Sequence, residues 1–256
     1  MAMLQNQRRE KIFEMIREDG QAKVTELSRI FKVTEVTIRQ DLERMEKEGF
    51  IIREHGGAYL KNVDLNVRNL QLQNQENLNQ KMAIARKALE YILDGETIIL
   101  DSGSTTTEVA KIIGGYRNLT VITNALNIAL ILGAQAGINV ILTGGEFKAP
   151  TISLTGQKAA DFFHNLHVDK LFLATAGIAL KSGLTYPGIS DICVKRAMIE
   201  SADEIYLVAD STKIGKSSFA SLGALSLINY LITDSNITPE DIEWLNTNEI
   251  KFLIAE

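Results

Sequence analysis

Six consecutive residues, Asp101-Ser102-Gly103-Ser104-Thr105-Thr106, carry a carboxylate, four hydroxyls and one glycine. They sit between a β-branched run, Thr97-Ile98-Ile99-Leu100, and a helical pattern over 108–113. A strand-to-helix turn of this kind presents unpaired backbone N–H groups and the positive end of a helix dipole, and both favour an anion. Ser and Thr hydroxyls add donors for phosphate oxygens. The same hydroxyls also suit simple helix capping, so this stretch by itself leaves both roles open.

The elements that must position these groups follow a regular order. A helix over 82–93 is closed by Asp94-Gly95, and strand 97–100 leads into the turn. Strand 120–123 leads to Asn124 and a helix over 126–132. Strand 139–142 leads to Thr143-Gly144-Gly145. A helix over 156–165 precedes strand 170–174, which leads to Thr175-Ala176-Gly177-Ile178. A helix over 190–201 precedes strand 204–209, which leads to Asp210-Ser211-Thr212-Lys213. Strand 230–233, a helix near 239–246 and a last run at 250–253 complete the alternation, which predicts an α/β domain with a mostly parallel sheet. Each small-residue loop follows a strand's carboxyl end, where open α/β sheets bind ligands. This convergence tips the opening stretch towards anion binding.

The first 60 residues have a different grammar. Apolar Ile12, Phe13, Met15 and Ile16 stripe a helix that stops at Asp19-Gly20. A second helix spans about 24–31, with Thr25 as its expected N-cap, and a third starts at Thr34, carries Ile38, Leu42 and Met45 at i, i+4, i+7, and ends at Gly49. A strand over 50–55, a Gly56-Gly57 turn and a returning strand at 58–60 follow. Three helices and a hairpin in this order predict a winged helix-turn-helix over 1–60. A recognition helix contacts bases with its N-terminal residues, which nominates Thr34, Glu35, Thr37, Arg39 and Gln40, with Arg44 further along. Arg53 and His55 flank the wing tip.

Val24-Thr25-Glu26-Leu27-Ser28, Val33 to Leu42, Glu46-Lys47-Glu48-Gly49 and Arg53 to Ala58 closely resemble the DeoR family of bacterial transcription regulators. The family commonly has a second arginine where this chain has Gln40; Gln reads adenine through its amide, so the departure bears on which operator is read. The resemblance covers residues 1–253. It implies a sensor domain similar in fold to ribose-5-phosphate isomerase that binds a phosphorylated sugar, and double-stranded operator DNA as the partner of the head. Asp101, Ser102, Gly103, Ser104, Thr105, Thr106, Asn124, Thr143, Gly144, Gly145 and Lys213 stand where the family pattern puts effector-site loops, and Gly177, after a strand end, would let backbone approach the ligand closely. The implied division is a head at 1–60, a Gln- and Asn-rich linker at 61–79 and a sensor at 80–256.

Other functions fare worse. Isomerisation of an aldose phosphate needs a carboxylate base, and the isomerases resemble one another in an Asp-Gly-Ala-Asp loop. The comparable loop here, Ala174-Thr175-Ala176-Gly177, has none, so no catalytic residue is expected. His164 and His167 lack further ligands nearby, so no metal is expected and surface histidines are the better reading. The single Cys193 fits a reducing cytosol. No signal peptide or apolar run of membrane-spanning length is visible, so a cytoplasmic protein is expected. Residues 1–60 carry 11 basic and 11 acidic side chains, so the overall charge of −5 falls wholly on the remainder. A neutral head binds DNA weakly as a monomer, which predicts a dimer or tetramer.

Overall fold

The protein is described by a computed structural model covering residues 5–54, 56–61 and 76–256. Helix α1 spans Gln5–Asp19 and buries Ile12, Met15 and Ile16 along one face. A three-residue strand, β1 (Gln21–Lys23), leads to α2 (Val24–Phe31) and α3 (Glu35–Lys47). Strands β2 (Ile51–Glu54) and β3 (Gly57–Leu60) form the wing. β1 was not foreseen; it pairs antiparallel with β3, giving the order β1-β3-β2. Gly57 is required there, because a Cβ would come within 2.6 Å of the Ala22 carbonyl oxygen.

Two local expectations change. α2 is capped by the backbone of Lys23 without a side-chain bond, so Thr25 lies inside the helix rather than at its cap. The wing strand is shorter than 50–55: Phe50 precedes it, and His55 lies outside the described residues. Thr34 does cap α3, accepting the Thr37 N–H at 3.2 Å. Ile38, Leu42 and Met45 are buried in one apolar cluster with the face of α1, as their spacing predicts.

Of the expected linker, 62–75 lie outside the described residues. The second unit opens with α4 (Leu78–Leu89). Then come β4 (Thr97–Leu100), α5 (Ser104–Ile112), β5 (Leu119–Thr123), α6 (Leu126–Leu132) and β6 (Ile138–Leu142). A hairpin of β7 (Glu146–Lys148) and β8 (Ser153–Thr155) precedes the short α7 (Gln157–Asp161). The expected helix over 156–165 is therefore truncated. Next are β9 (Val168–Leu173), β10 (Gly177–Ala179), β11 (Gly183–Tyr186), α8 (Ile192–Ser201) and β12 (Ala202–Val208). The chain ends with β13 (Ala220–Gly223), β14 (Tyr230–Asp234), α9 (Pro239–Thr247) and β15 (Phe252–Ala255).

Seven strands form one sheet, β15-β14-β12-β9-β4-β5-β6, and every pair in it is parallel. Alternation along β4 sends Ile99 to one apolar layer and Ile98 and Leu100 to the other, so both faces are covered. A small antiparallel sheet, β10-β11-β13, is attached beside it. From β4 the chain winds outward through β5 and β6, then returns to β9 and winds the other way. The strand order therefore reverses between β4 and β9, which is the switch point where α/β sheets open a crevice.

Candidate functional site

At that crevice lies a cavity of about 330 Å³. Ser102, Gly103, Ser104, Thr105 and Thr107 line it from the β4–α5 turn, Ala174, Thr175 and Ala176 from the end of β9, and Asp210 and Lys213 from the end of β12. α5 starts without a side-chain cap, so its first N–H groups are open. Among the described residues, the hydroxyls of Ser102, Ser104 and Thr105 have no protein partner. The capping role weighed from sequence is therefore not what these hydroxyls do.

The neighbouring hydroxyls behave differently. Thr106 donates to the carbonyls of Asp101 at 2.6 Å and Gly103 at 3.0 Å, and Thr107 donates to Gly103 at 2.7 Å. They brace the turn from within. Gly103 is needed for the same reason: a Cβ there would sit 2.5 Å from that of Ala174. Its small size serves the packing of β4 against the loop after β9.

Asp101 does not line the cavity but supports it. Its carboxylate is fully buried and takes Lys195 Nζ at 2.7 and 2.5 Å, together with the Ala174 N–H at 3.1 Å. Burial raises its pKa, while Lys195 and the Ala174 N–H pull the other way. Lys195, on α8 and 3 % exposed, also stands 4.8 Å from the Tyr186 ring centre. Tyr186 donates its hydroxyl to the Ala174 carbonyl at 2.7 Å. Nothing local in the sequence signals Lys195, because its partner is 94 positions away.

Lys213 is placed by a 3-10 turn at Ser211–Lys213, capped by the Asp210 carboxylate through the Thr212 N–H. Its ammonium has no partner among the described residues. Asn124, Thr143, Gly144, Gly145 and Gly177 do not line the cavity. Asn124 donates to the Leu154 carbonyl at 3.0 Å. Gly145 and Gly177 allow close backbone packing, since a Cβ on either would lie 2.6 Å from a carbonyl oxygen, of Thr155 and Lys216 respectively.

The second candidate surface is on the head. Arg39, Gln40 and Arg44 are exposed on α3, as is Thr34 at its cap, and Glu35 and Thr37 are half-buried at its start. Arg39 pairs with Glu35 at 2.6 Å and Arg44 with Glu48 at 3.3 Å. Val36 is 60 % exposed on the same face, an apolar side chain that the sequence reading passed over and that suits a thymine methyl. In the wing, Glu46 holds Arg53, accepting its backbone N–H at 3.0 Å and lying 3.8 Å from its guanidinium. Behind α3, Arg8 of α1 meets Asp41 at 2.6 Å in a buried pair that fixes the two helices. His164 and His167 are exposed, and no cluster of metal-ligating side chains occurs among the described residues.

The comparisons agree with this division of labour. A DeoR-like helix-turn-helix domain matches residues 8–63, and the DeoR C terminal sensor domain matches residues 76–235. The chain belongs to the DeoR family. It is 36 % identical to the HTH-type transcriptional regulator YulB of Bacillus subtilis, over 97 % of this chain and 96 % of that one. The glycerol-3-phosphate regulon repressor of Escherichia coli K12 is 31 % identical over 91 % of this chain and 92 % of its own. The HTH-type transcriptional repressor GlcR of Bacillus subtilis is 30 % identical over 99 % and 98 %. Among solved structures, ribose 5-phosphate isomerase A of Methanocaldococcus jannaschii aligns with a TM-score of 0.40 at 16 % identity, covering 54 % of this chain and 55 % of that one. As a DeoR-family regulator the protein combines a winged helix-turn-helix with an α/β sensor. No helix among the described residues is long and apolar enough to cross a membrane.

Proposed function

We propose that this DeoR-family protein is a repressor of sugar-metabolism genes whose operator binding is set by a phosphorylated sugar. One observation carries the reading: an uncapped helix start and three hydroxyls without partners among the described residues face a cavity at the sheet's switch point. Lys213 adds, from the end of β12, a cation without a partner among the described residues. A sugar phosphate offers the dianion for these donors and hydroxyls for the rest of the cavity. Thr34, Glu35, Val36, Thr37, Arg39, Gln40 and Arg44 would face the major groove, with Arg53 and His55 at the backbone. The working form is a cytoplasmic dimer or tetramer, because a charge-neutral head needs two half-sites.

An isomerase-like enzyme is the competing reading. Asp101, behind the cavity, is locked to Lys195 and an amide, and Asp210, which lines it, accepts from the Thr212 N–H and from Asn77, so each is a poor free base. The test has two readouts on the full chain: the melting temperature and the operator affinity, each with and without ribose 5-phosphate, glucose 6-phosphate, fructose 6-phosphate and glycerol 3-phosphate. At least one sugar phosphate should raise the melting temperature and shift operator affinity, with no turnover. Turnover of any of them would establish the enzyme instead.

A further inference from the structure

The cavity has a fourth wall, and it comes from the head. Glu14, Arg17 and Glu18, at i, i+3 and i+4 on the last turns of α1, line it opposite the β4–α5 turn. The same helix buries Ile12, Met15 and Ile16 on its other face, so α1 serves the head's core and the cavity at once. Arg17 makes no ion pair or side-chain hydrogen bond among the described residues. Lys195, by contrast, is committed to Asp101. Among the described residues, Lys213 from the sensor and Arg17 from the head are thus cavity-wall cations without a partner.

Asp191 links the cavity to the head by a second route. It is 6 % exposed and lines the cavity, and its Oδ1 is buried without a partner among the described residues. An acceptor left in that state costs free energy until a donor reaches it. Its Oδ2 accepts from Lys148 at 2.7 Å. Lys148, 4 % exposed, in turn holds two head residues, Asp19 at 3.0 Å and Glu18 at 3.5 Å. Ser190 donates to Asp19 at 2.5 Å. Asp191 therefore borders the cavity with one oxygen still in need of a donor and the other tied into the contact that seats the head.

We propose that the effector site is shared between the two domains: Arg17 of the DNA-binding head contacts the bound anion, and Asp191 accepts a hydroxyl of the sugar. This rests on the sugar-phosphate reading given above. Ligand bound between the two walls interacts with the head only while it is seated, so it must shift the equilibrium towards the seated arrangement. Binding energy is in this way converted into control of head orientation. The recognition face of α3 stays exposed in that arrangement, so the effector acts on the direction in which paired heads point rather than by covering them.

The experiment is isothermal titration of the full chain with inorganic phosphate, ribose 5-phosphate, glucose 6-phosphate, fructose 6-phosphate and glycerol 3-phosphate, alongside hydrogen exchange of residues 14–19. Arg17→Ala should weaken the sugar phosphate that binds best by about ten- to a hundredfold, the size of one lost charged hydrogen bond, and Arg17→Lys should recover part of it. Arg9→Ala, on α1 but away from the cavity, should change nothing. Asp191→Ala should weaken the sugar phosphate more than it weakens inorganic phosphate. A Cβ on Gly188 would collide with the Asp19 carboxylate, which must then swing away from Lys148 and Ser190, so Gly188→Ala should loosen the seated head, lower affinity, and reduce the ligand-induced protection of 14–19 seen in the parent. If the parent binds a sugar phosphate and folded Arg17→Ala binds it equally well, the shared site is wrong while the sugar-phosphate reading stands. If no sugar phosphate binds the parent, both fall together.

Discussion

Thr105 and Thr106 are adjacent, chemically identical and assigned alike from sequence, yet the fold gives them opposite duties. Thr105 lines the cavity with a hydroxyl that has no partner among the described residues, whereas Thr106 spends its proton on the carbonyls of Asp101 and Gly103. Thr105→Ala should therefore weaken effector binding by about tenfold or more and leave the melting temperature nearly unchanged. Thr106→Ala should lower stability by roughly 1 kcal/mol, with a smaller effect on the ligand. Titration and urea denaturation of the two variants check this, and a matched pair of outcomes would show that the hydroxyls are not divided in this way. A related correction concerns Gly103. A larger side chain there would not simply fill room for a phosphate oxygen; it would strike Ala174. Loss of response in Gly103→Val would thus report on packing as much as on binding, and Thr105→Ala is the cleaner probe.

The recognition helix shows how far an element can be read from its sequence. Its start at Thr34, its buried Ile38, Leu42 and Met45 and its exposed Arg39 follow from capping chemistry and a 3.6-residue period. The tether of Arg39 to Glu35 is likewise an i, i+4 relation. An exposed pair of this sort contributes only about 0.3–0.5 kcal/mol, so a base can displace Glu35 at little cost. Arg39→Ala should cost about 1–3 kcal/mol of operator discrimination while the melting curve stays within a degree or two of the parent. Unchanged operator affinity in gel-shift titrations would take Arg39 out of the interface. The parallel strands were legible for a similar reason: runs such as 97–100 and 120–123 are rich in β-branched residues and lead into small polar ones. Local pattern fails where the element is three residues long. β1, β7, β8 and β10 are each too short for a period to develop, and they are defined by partners in the fold. Lys195 and Asp191 were missed on the same ground: pairs 94 and 43 positions apart leave no trace in a sequence window.

At the scale of the whole chain, the sequence predicted two domains with two tasks, and the structure adds the contact that couples them. Asp19 and Glu18 of α1 meet Lys148 of the β7–β8 hairpin, the Pro150 ring lies beside Gly20, where a Cβ would touch it, and Phe31 meets Phe219 at 5.4 Å between ring centres. The electrostatic part is unbalanced, with Glu18, Asp19 and Asp191 gathered around a single ammonium. Burial works against the Lys148 charge, yet the three carboxylates together hold its pKa above the ordinary lysine value. Burial and the neighbouring carboxylates raise the pKa of Glu18 against the pull of Lys148. Removing the lysine would leave like charges facing one another with nothing between them, a cost of about 3–5 kcal/mol for a buried pair broken from one side. The head can escape that cost by undocking, because its own small core of Ile12, Leu27, Ile38 and Leu42 does not include Lys148. Lys148→Ala should therefore separate what the parent does in one cooperative step: calorimetry should show the head melting at lower temperature than the sensor, with the sensor transition close to its original position. A single transition displaced as a whole would mean that Lys148 stabilises the sensor alone, and that the head is seated by the Pro150 and Phe219 contacts without it.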